Sequence, residues 1–192
     1  MTIRVALRAA ASVIGHSTRR RAGNAVVRAA IRLATASRSA VFIDPEAIRA
    51  LDAVPPPPVR LPETLVIVAA TGRPALRIGA TVDLSGSLAG EAVRQNRPVS
   101  SNGRQESSAV IRRAAESPWP DFPDAIAVPL VLGRRIVGVL AIGHDVPVAH
   151  RLLHGQTLSD FAPVAAAGLV AAIRHEEALR QAIADPLTGL LN

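Results

Sequence analysis

The 192-residue sequence has no cysteine, no lysine and no tyrosine, and aromatic residues make up only 2% of it. Without cysteine there is no disulfide, no thiol nucleophile and no thiolate metal ligand, and nothing in the chain requires an oxidising compartment. With one tryptophan and three phenylalanines, the core must be built from Ala, Val, Leu and Ile. Hydrophobic residues reach 49%, too many for disorder. A long uninterrupted apolar run is also missing. The charge-free stretch Phe161 to Ile173 falls short of the roughly 20 residues that span a bilayer, and reads as a buried helix. Arg8 interrupts the apolar start, and no cleavage pattern precedes Arg19, Arg20 and Arg21, so a signal peptide is not expected and a cytoplasmic location is.

Acid is absent from residues 1–43, which carry eight arginines, whereas the remaining fourteen arginines face fifteen acids. The net charge of +7 therefore arises wholly in the N-terminal segment. With almost no aromatics beside those arginines, stacking on single-stranded nucleic acid is disfavoured. A solvated basic helix, or one docked on a partner subunit, is the expectation, with no nucleic-acid partner and no membrane-surface role.

What is present divides by periodicity. Residues 3–14 place Ile3, Leu7, Ala10 and Ile14 on one helical face, and 22–36 repeat the pattern with Val27, Ile31 and Ala34 inward and Arg21, Arg28 and Arg32 outward. Strands are predicted over 39–44, 65–70 and 76–82. The proline-rich stretch 45–62 is a loop with one short turn of helix. A short helix over 87–95, a brief edge strand over 98–100 and a helix over 107–116 follow. Residues 125–132 and 135–143 form two strands around a tight Gly133-Arg134 turn. A long helix covers 159–184. The order predicts an α+β domain in which helices cover an antiparallel sheet.

Two stretches carry family resemblances. Ile126-Ala127-Val128-Pro129-Leu130 followed by Gly133-Arg134-Arg135-Ile136-Val137-Gly138-Val139-Leu140-Ala141-Ile142 resembles the hairpin of GAF domains, and the upstream Gly86 to Val99 resembles the helix and edge strand preceding it. Gly138 is expected to let the hairpin backbone approach a neighbour closely, and Pro129 to mark a bulge or an edge. At the C-terminus, Asp185, Leu187, Thr188, Gly189, Leu190 and Asn192 match six fixed positions of the D-x-L-T-G-L-x-N signature that opens GGDEF diguanylate cyclase domains. Pro186 stops the preceding helix there, as suits a hinge. The resemblances imply a basic helical extension over 1–21, a GAF sensor over 22–175, the end of a signalling helix over 176–184 and the first residues of a GGDEF domain over 185–192. The GG(D/E)EF loop and its metal-binding acids are not in this sequence, so the chain itself is expected to be no enzyme.

The GAF resemblance also implies a cleft on one face of the sheet, and departures from known subclasses narrow its occupant. Bilin binding and methionine-sulfoxide reduction both need cysteines. The cyclic-nucleotide motif fails, because Asn102 is followed by Gly103. Haem-binding members place a histidine before the hairpin, where this chain has Asp121-Phe122-Pro123-Asp124; haem is disfavoured, although His144, His150, His154 and His175 remain. No cofactor is evident, and any small-molecule ligand is of unstated identity. Trp119 and Phe122 are the candidates to contact a ring, with Ser100, Ser101, Asn102 and Arg104 as polar contacts. His150 and His154 stand four apart, with Asp160 as nearest third ligand, but two histidines are a thin set and read as exposed loop residues, so no metal is expected. The motifs Arg49-x-x-Asp52 and Arg73-x-x-x-Arg77 match cyclic di-GMP sites only by accident. No Ser–His–acid set, Walker loop or paired-carboxylate cleft is visible.

In the long helix, Leu158, Phe161, Ala165, Gly168, Ala172, Leu179 and Ile183 follow a 3-4 spacing suited to a partner helix, interrupted by Glu176. Because diguanylate cyclases act as pairs, the resemblance implies a homodimer whose terminal helices bundle together and control the chain's own GGDEF domain. The alternative is a ligand-free dimerisation or protein-interaction module.

Overall fold

The computed structural model describes residues 19–55, 57–72, 76–101, 124–146 and 151–184. In chain order these form α1 (Arg19–Ala34), β1 (Arg38–Ile43), α2 (Pro45–Arg49), β2 (Thr64–Thr71), β3 (Thr81–Asp83), α3 (Leu88–Gln95), β4 (Val99–Ser100), β5 (Asp124–Leu132), β6 (Arg135–His144) and α4 (Arg151–Ala184). The strands make one six-stranded sheet in the order β3-β2-β1-β6-β5-β4, antiparallel at every pairing. The expected α+β class with a long terminal helix is what forms. The expected helices over 3–14 and 107–116 lie outside the described residues. The predicted third strand shrinks to Thr81–Asp83.

Both faces of the sheet are buried, so the central strands are apolar almost throughout rather than alternating with polar residues. Successive side chains still point opposite ways. Val41, Ile43, Ile126, Val128, Leu140 and Ile142 face one cluster with α1 and α4. Phe42, Leu65, Ile67, Ala125, Ala127 and Val139 face another with α3. On α1 the small residues Ala22, Ala25, Ala29 and Ala30 are buried, while Arg20, Arg21, Arg28 and Arg32 are exposed.

Local chemistry sets the element ends. Ser87 caps α3: its Oγ accepts from the Gly90 amide at 3.0 Å and donates to the Leu84 carbonyl at 2.8 Å. Asn96 ends that helix in the left-handed conformation, φ 47°. Gly133, φ 62°, makes the two-residue turn between β5 and β6. Pro129 meets the edge part of its expectation, and the bulge lies just beyond it. The β4–β5 pairing reaches only Ile126 and Ala127, so at Pro129 the outer side of β5 is free of β4. The β5–β6 register then shifts one residue further on, between Leu130 and Val131.

The long helix begins at Arg151, eight residues before its expected start, and its 34 residues include Gly155 and Pro163. Pro163 is exposed, on the solvent side of the helix. His154–Leu179 is long and apolar enough to cross a membrane by length and composition, yet 61% of that window is buried inside the domain. Tertiary burial accounts for its hydropathy.

Candidate functional site

The face of the sheet opposite α1 and α4 has a floor of small side chains. Ala70, Ala40, Ala141 and Ala127 stand in register across β2, β1, β6 and β5, and Val99 of β4 completes the row. Ala40, Ala127 and Ala141 are fully buried, and Phe42, Ala125 and Val139 beside them are equally inaccessible. α3 lies on this face through Leu88, Ala89, Ala92 and Val93. Gly90 lets the segment that leads into α3 pack against the helix's first turn: a Cβ there would stand 1.9 Å from the Leu84 carbonyl oxygen.

Of the polar and aromatic candidates for this cleft, Asn102, Arg104, Trp119 and Phe122 lie outside the described residues. Ser100 is half-buried in the edge strand β4. Ser101 is buried, and its hydrogen bonds belong to the sheet edge. Its amide donates to the Ala125 carbonyl at 3.0 Å, and its Oγ accepts from the Ala125 amide at 3.0 Å. That hydroxyl extends the β4–β5 ladder by one residue.

A cavity of about 700 Å³ opens elsewhere among the described residues, between α2, the segment 57–64 and Arg135. Asp44, Glu46 and Glu63 line it together with Arg49, Arg60 and Arg135, so both signs of charge are represented. A smaller cavity of about 410 Å³ lies between residues 61–64 and the start of α3. The accidental cyclic di-GMP motif near α2 is spent on structure: Arg49 Nε donates to the Pro45 carbonyl, and Asp52 pairs with Arg174 of α4 at 2.5 Å.

The helix seam is reassigned by the fold. Leu158, Phe161, Ala165 and Ala172 are buried inside this chain, in the cluster shared with α1 and the sheet. A core face and an interface seam have the same 3-4 spacing, and here the sheet takes it. Leu179 stays 50% exposed. Exposed beside it on α4 are Pro163, Ala167, Ala171, His175 and Ala178, an outward stripe of mostly small residues. Ile183 lies in the last turn of α4. Glu176 has a positive role: its Oε2 accepts from the Arg19 amide at 3.1 Å, capping α1 from α4. The GGDEF-like residues Asp185, Leu187, Thr188, Gly189, Leu190 and Asn192 lie outside the described residues.

The histidines also differ from expectation. His154 is half-buried on the first turn of α4, not on a loop, and it stacks on His144 with ring centroids 5.7 Å apart and planes 23° apart. His144, buried at the end of β6, pairs in register with the fully buried Asp124 of β5. Burial pushes the His144 imidazole below its ordinary value, Asp124 and Asp145 act against that, and His154 reinforces it. Among the described residues no group of three His, Cys, Asp or Glu side chains could hold a metal ion.

A family model for the GAF domain matches residues 16–169. Solved structures agree in fold. The GAF domain of a phosphoenolpyruvate-protein phosphotransferase from Coxiella burnetii has a TM-score of 0.69 at 16% identity, covering 92% of this chain and 96% of that one. The corresponding domain from Acinetobacter gives 0.67 at 12% identity, covering 94% and 98%. The free methionine-R-sulfoxide reductase of Neisseria meningitidis, solved with its substrate, gives 0.62 at 15% identity, covering 93% and 90%. These identities establish shared fold alone. No curated protein sequence matches the chain.

Proposed function

The chain belongs to the GAF domain family, whose members are regulatory and sensory, and we propose that within it this chain is the dimerising sensor of a diguanylate cyclase. Its role is to control cyclic di-GMP synthesis by a GGDEF domain through α4. The observation that carries the reading is the continuity of α4. One helix runs from a stacked histidine pair at the sheet's end, along the core, to Ala184, and the next eight residues carry the GGDEF-like signature. Such a helix converts a change in the domain into rotation or translation at its far end. The face open to a second copy is the outward stripe of Pro163, Ala167, Ala171, His175, Ala178 and Leu179, where Ala167 and Ala171 permit close helix approach. Light scattering on the purified chain tests the dimer: twice the monomer mass at micromolar concentration supports the proposal, and a monomer refutes it.

A second reading, a ligand-free interaction module, is favoured by one observation. Ala40, Ala127 and Ala141 of the row, with Phe42, Ala125 and Val139 beside them, are wholly buried, and the two cavities described above lie elsewhere. Native mass spectrometry separates the readings. A co-purified small molecule supports a sensor cleft, and its absence supports the module.

A further inference from the structure

We propose that the stacked His144–His154 pair, seated beside Asp124, is a proton-operated latch that holds the first turns of α4 on the sheet when neutral and releases them when protonated. The proposal does not depend on what α4 controls. Its geometry joins three elements at one corner: Asp124 opens β5, His144 closes β6 opposite it, and His154 stands on the first turn of α4. The rings are stacked at 5.7 Å, close enough that two imidazolium ions would repel across a largely dry contact. His144 is only 4% exposed, and its Nε2 has no hydrogen-bond partner among the described residues. A charged imidazole there would present a donor without an acceptor.

The titratable and charged groups around His144 are few among the described residues. Asp124 faces it from β5 and His154 from α4, with the buried hydroxyl of Thr157 one turn further along that helix. Asp145 follows it in the chain and is tied at 2.7 Å to Arg38 of β1. Burial lowers the proton affinity of His144 in the closed state relative to water. The open state then binds the proton more readily, so acid favours opening. The latch is closed above the ordinary histidine value of 6.5 and loosens as pH falls below it.

Amide hydrogen exchange of the full chain, corrected for its intrinsic pH dependence, reads this directly. Between pH 7.5 and pH 5 the amides of 151–158 should open about tenfold more often for each unit separating the closed and open values. Amides of 165–172, deeper in the core, should hold their protection. His144→Gln should abolish the pH dependence, and His154→Gln should reduce it, because burial of His144 is the larger cause. If His144→Gln fails to fold, the half-buried His154→Gln and the wild-type histidine ring titration carry the test. Flat protection at 151–158, equal loss along the whole helix, a dependence undiminished in His154→Gln, or a His144 ring titrating at or above its value in the unfolded chain would each overturn the latch.

Discussion

Replacing Gly138 by alanine should cost more than any other single methyl group added to the sheet. Gly138 sits in β6 opposite Ile43 of β1, in the middle of the hydrogen-bonded sheet. An added Cβ would stand 2.1 Å from the Phe42 carbonyl oxygen and 3.1 Å from both the Phe42 carbonyl carbon and the Ile43 Cα. All three are backbone atoms, so no side chain can swing aside. Relief requires β1 and β6 to part by about 1 Å, and overpacking of this kind costs about 1–3 kcal/mol. The displacement also strains the bond from the Asp44 amide to the Val137 carbonyl, 2.9 Å long, worth about 1 kcal/mol. A total near 3 kcal/mol is a large share of a stability of about 5–15 kcal/mol, and should lower Tm by roughly 6–12 °C in a domain of this size. Urea unfolding followed by circular dichroism measures it. Gly133→Ala is the control: it meets open space but keeps φ 62°, so it should lose only about 1 kcal/mol, recoverable with Asn. A loss below about 1 kcal/mol in Gly138→Ala would show that the sheet yields cheaply, and would refute the reasoning.

Other consequences are equally open to measurement. Glu176→Ala removes the acceptor that caps α1 and should destabilise the domain by about 1 kcal/mol in urea titrations; no change would mean that water caps that amide as well. Ser39 Oγ is fully buried without a hydrogen-bond partner among the described residues, so Ser39→Ala should raise stability by up to about 1 kcal/mol, whereas a loss would reveal an unseen partner. Leu179→Glu places a charge on the half-exposed end of the outward stripe; light scattering should show weakened association with the unfolding midpoint held, and unchanged association would move the dimer contact elsewhere. The purified chain with GTP and Mg²⁺ should yield no cyclic di-GMP above a protein-free control.

Much of this architecture was legible because both faces of the hairpin are covered. A run such as Ile126 to Leu130 has one reading when turn residues bracket it, and Gly138 marked the close approach that its missing Cβ permits. The start of α4 was hidden by Gly155, a poor helix residue whose cost is offset by packing further along. Its seam was misassigned because the periodicity of an apolar face does not name its partner. Alanine lines the outward side as well, and only the fold shows which side meets the sheet. The histidine corner was out of reach for a more local reason. Counting back from the Leu132–Arg135 pair without a bulge sets Asp124 opposite Gly143. The one-residue shift after Leu130 brings it opposite His144 instead. A bulge beside a proline is foreseeable, but its side and direction are not.

On the proposed reading, α4 delivers the state of this domain to a GGDEF catalytic domain. The direct test joins residues 1–192 in frame to the remainder of an active GGDEF domain and compares cyclic di-GMP production with that of the catalytic domain alone. Further variants insert two or seven residues after Ala184. Two residues turn the helix by about 200°, whereas seven nearly restore its phase. The account predicts a rate several-fold different from the isolated domain, changed by the two-residue insertion and largely recovered by the seven-residue one. A rate equal to that of the isolated domain and indifferent to both insertions would contradict it.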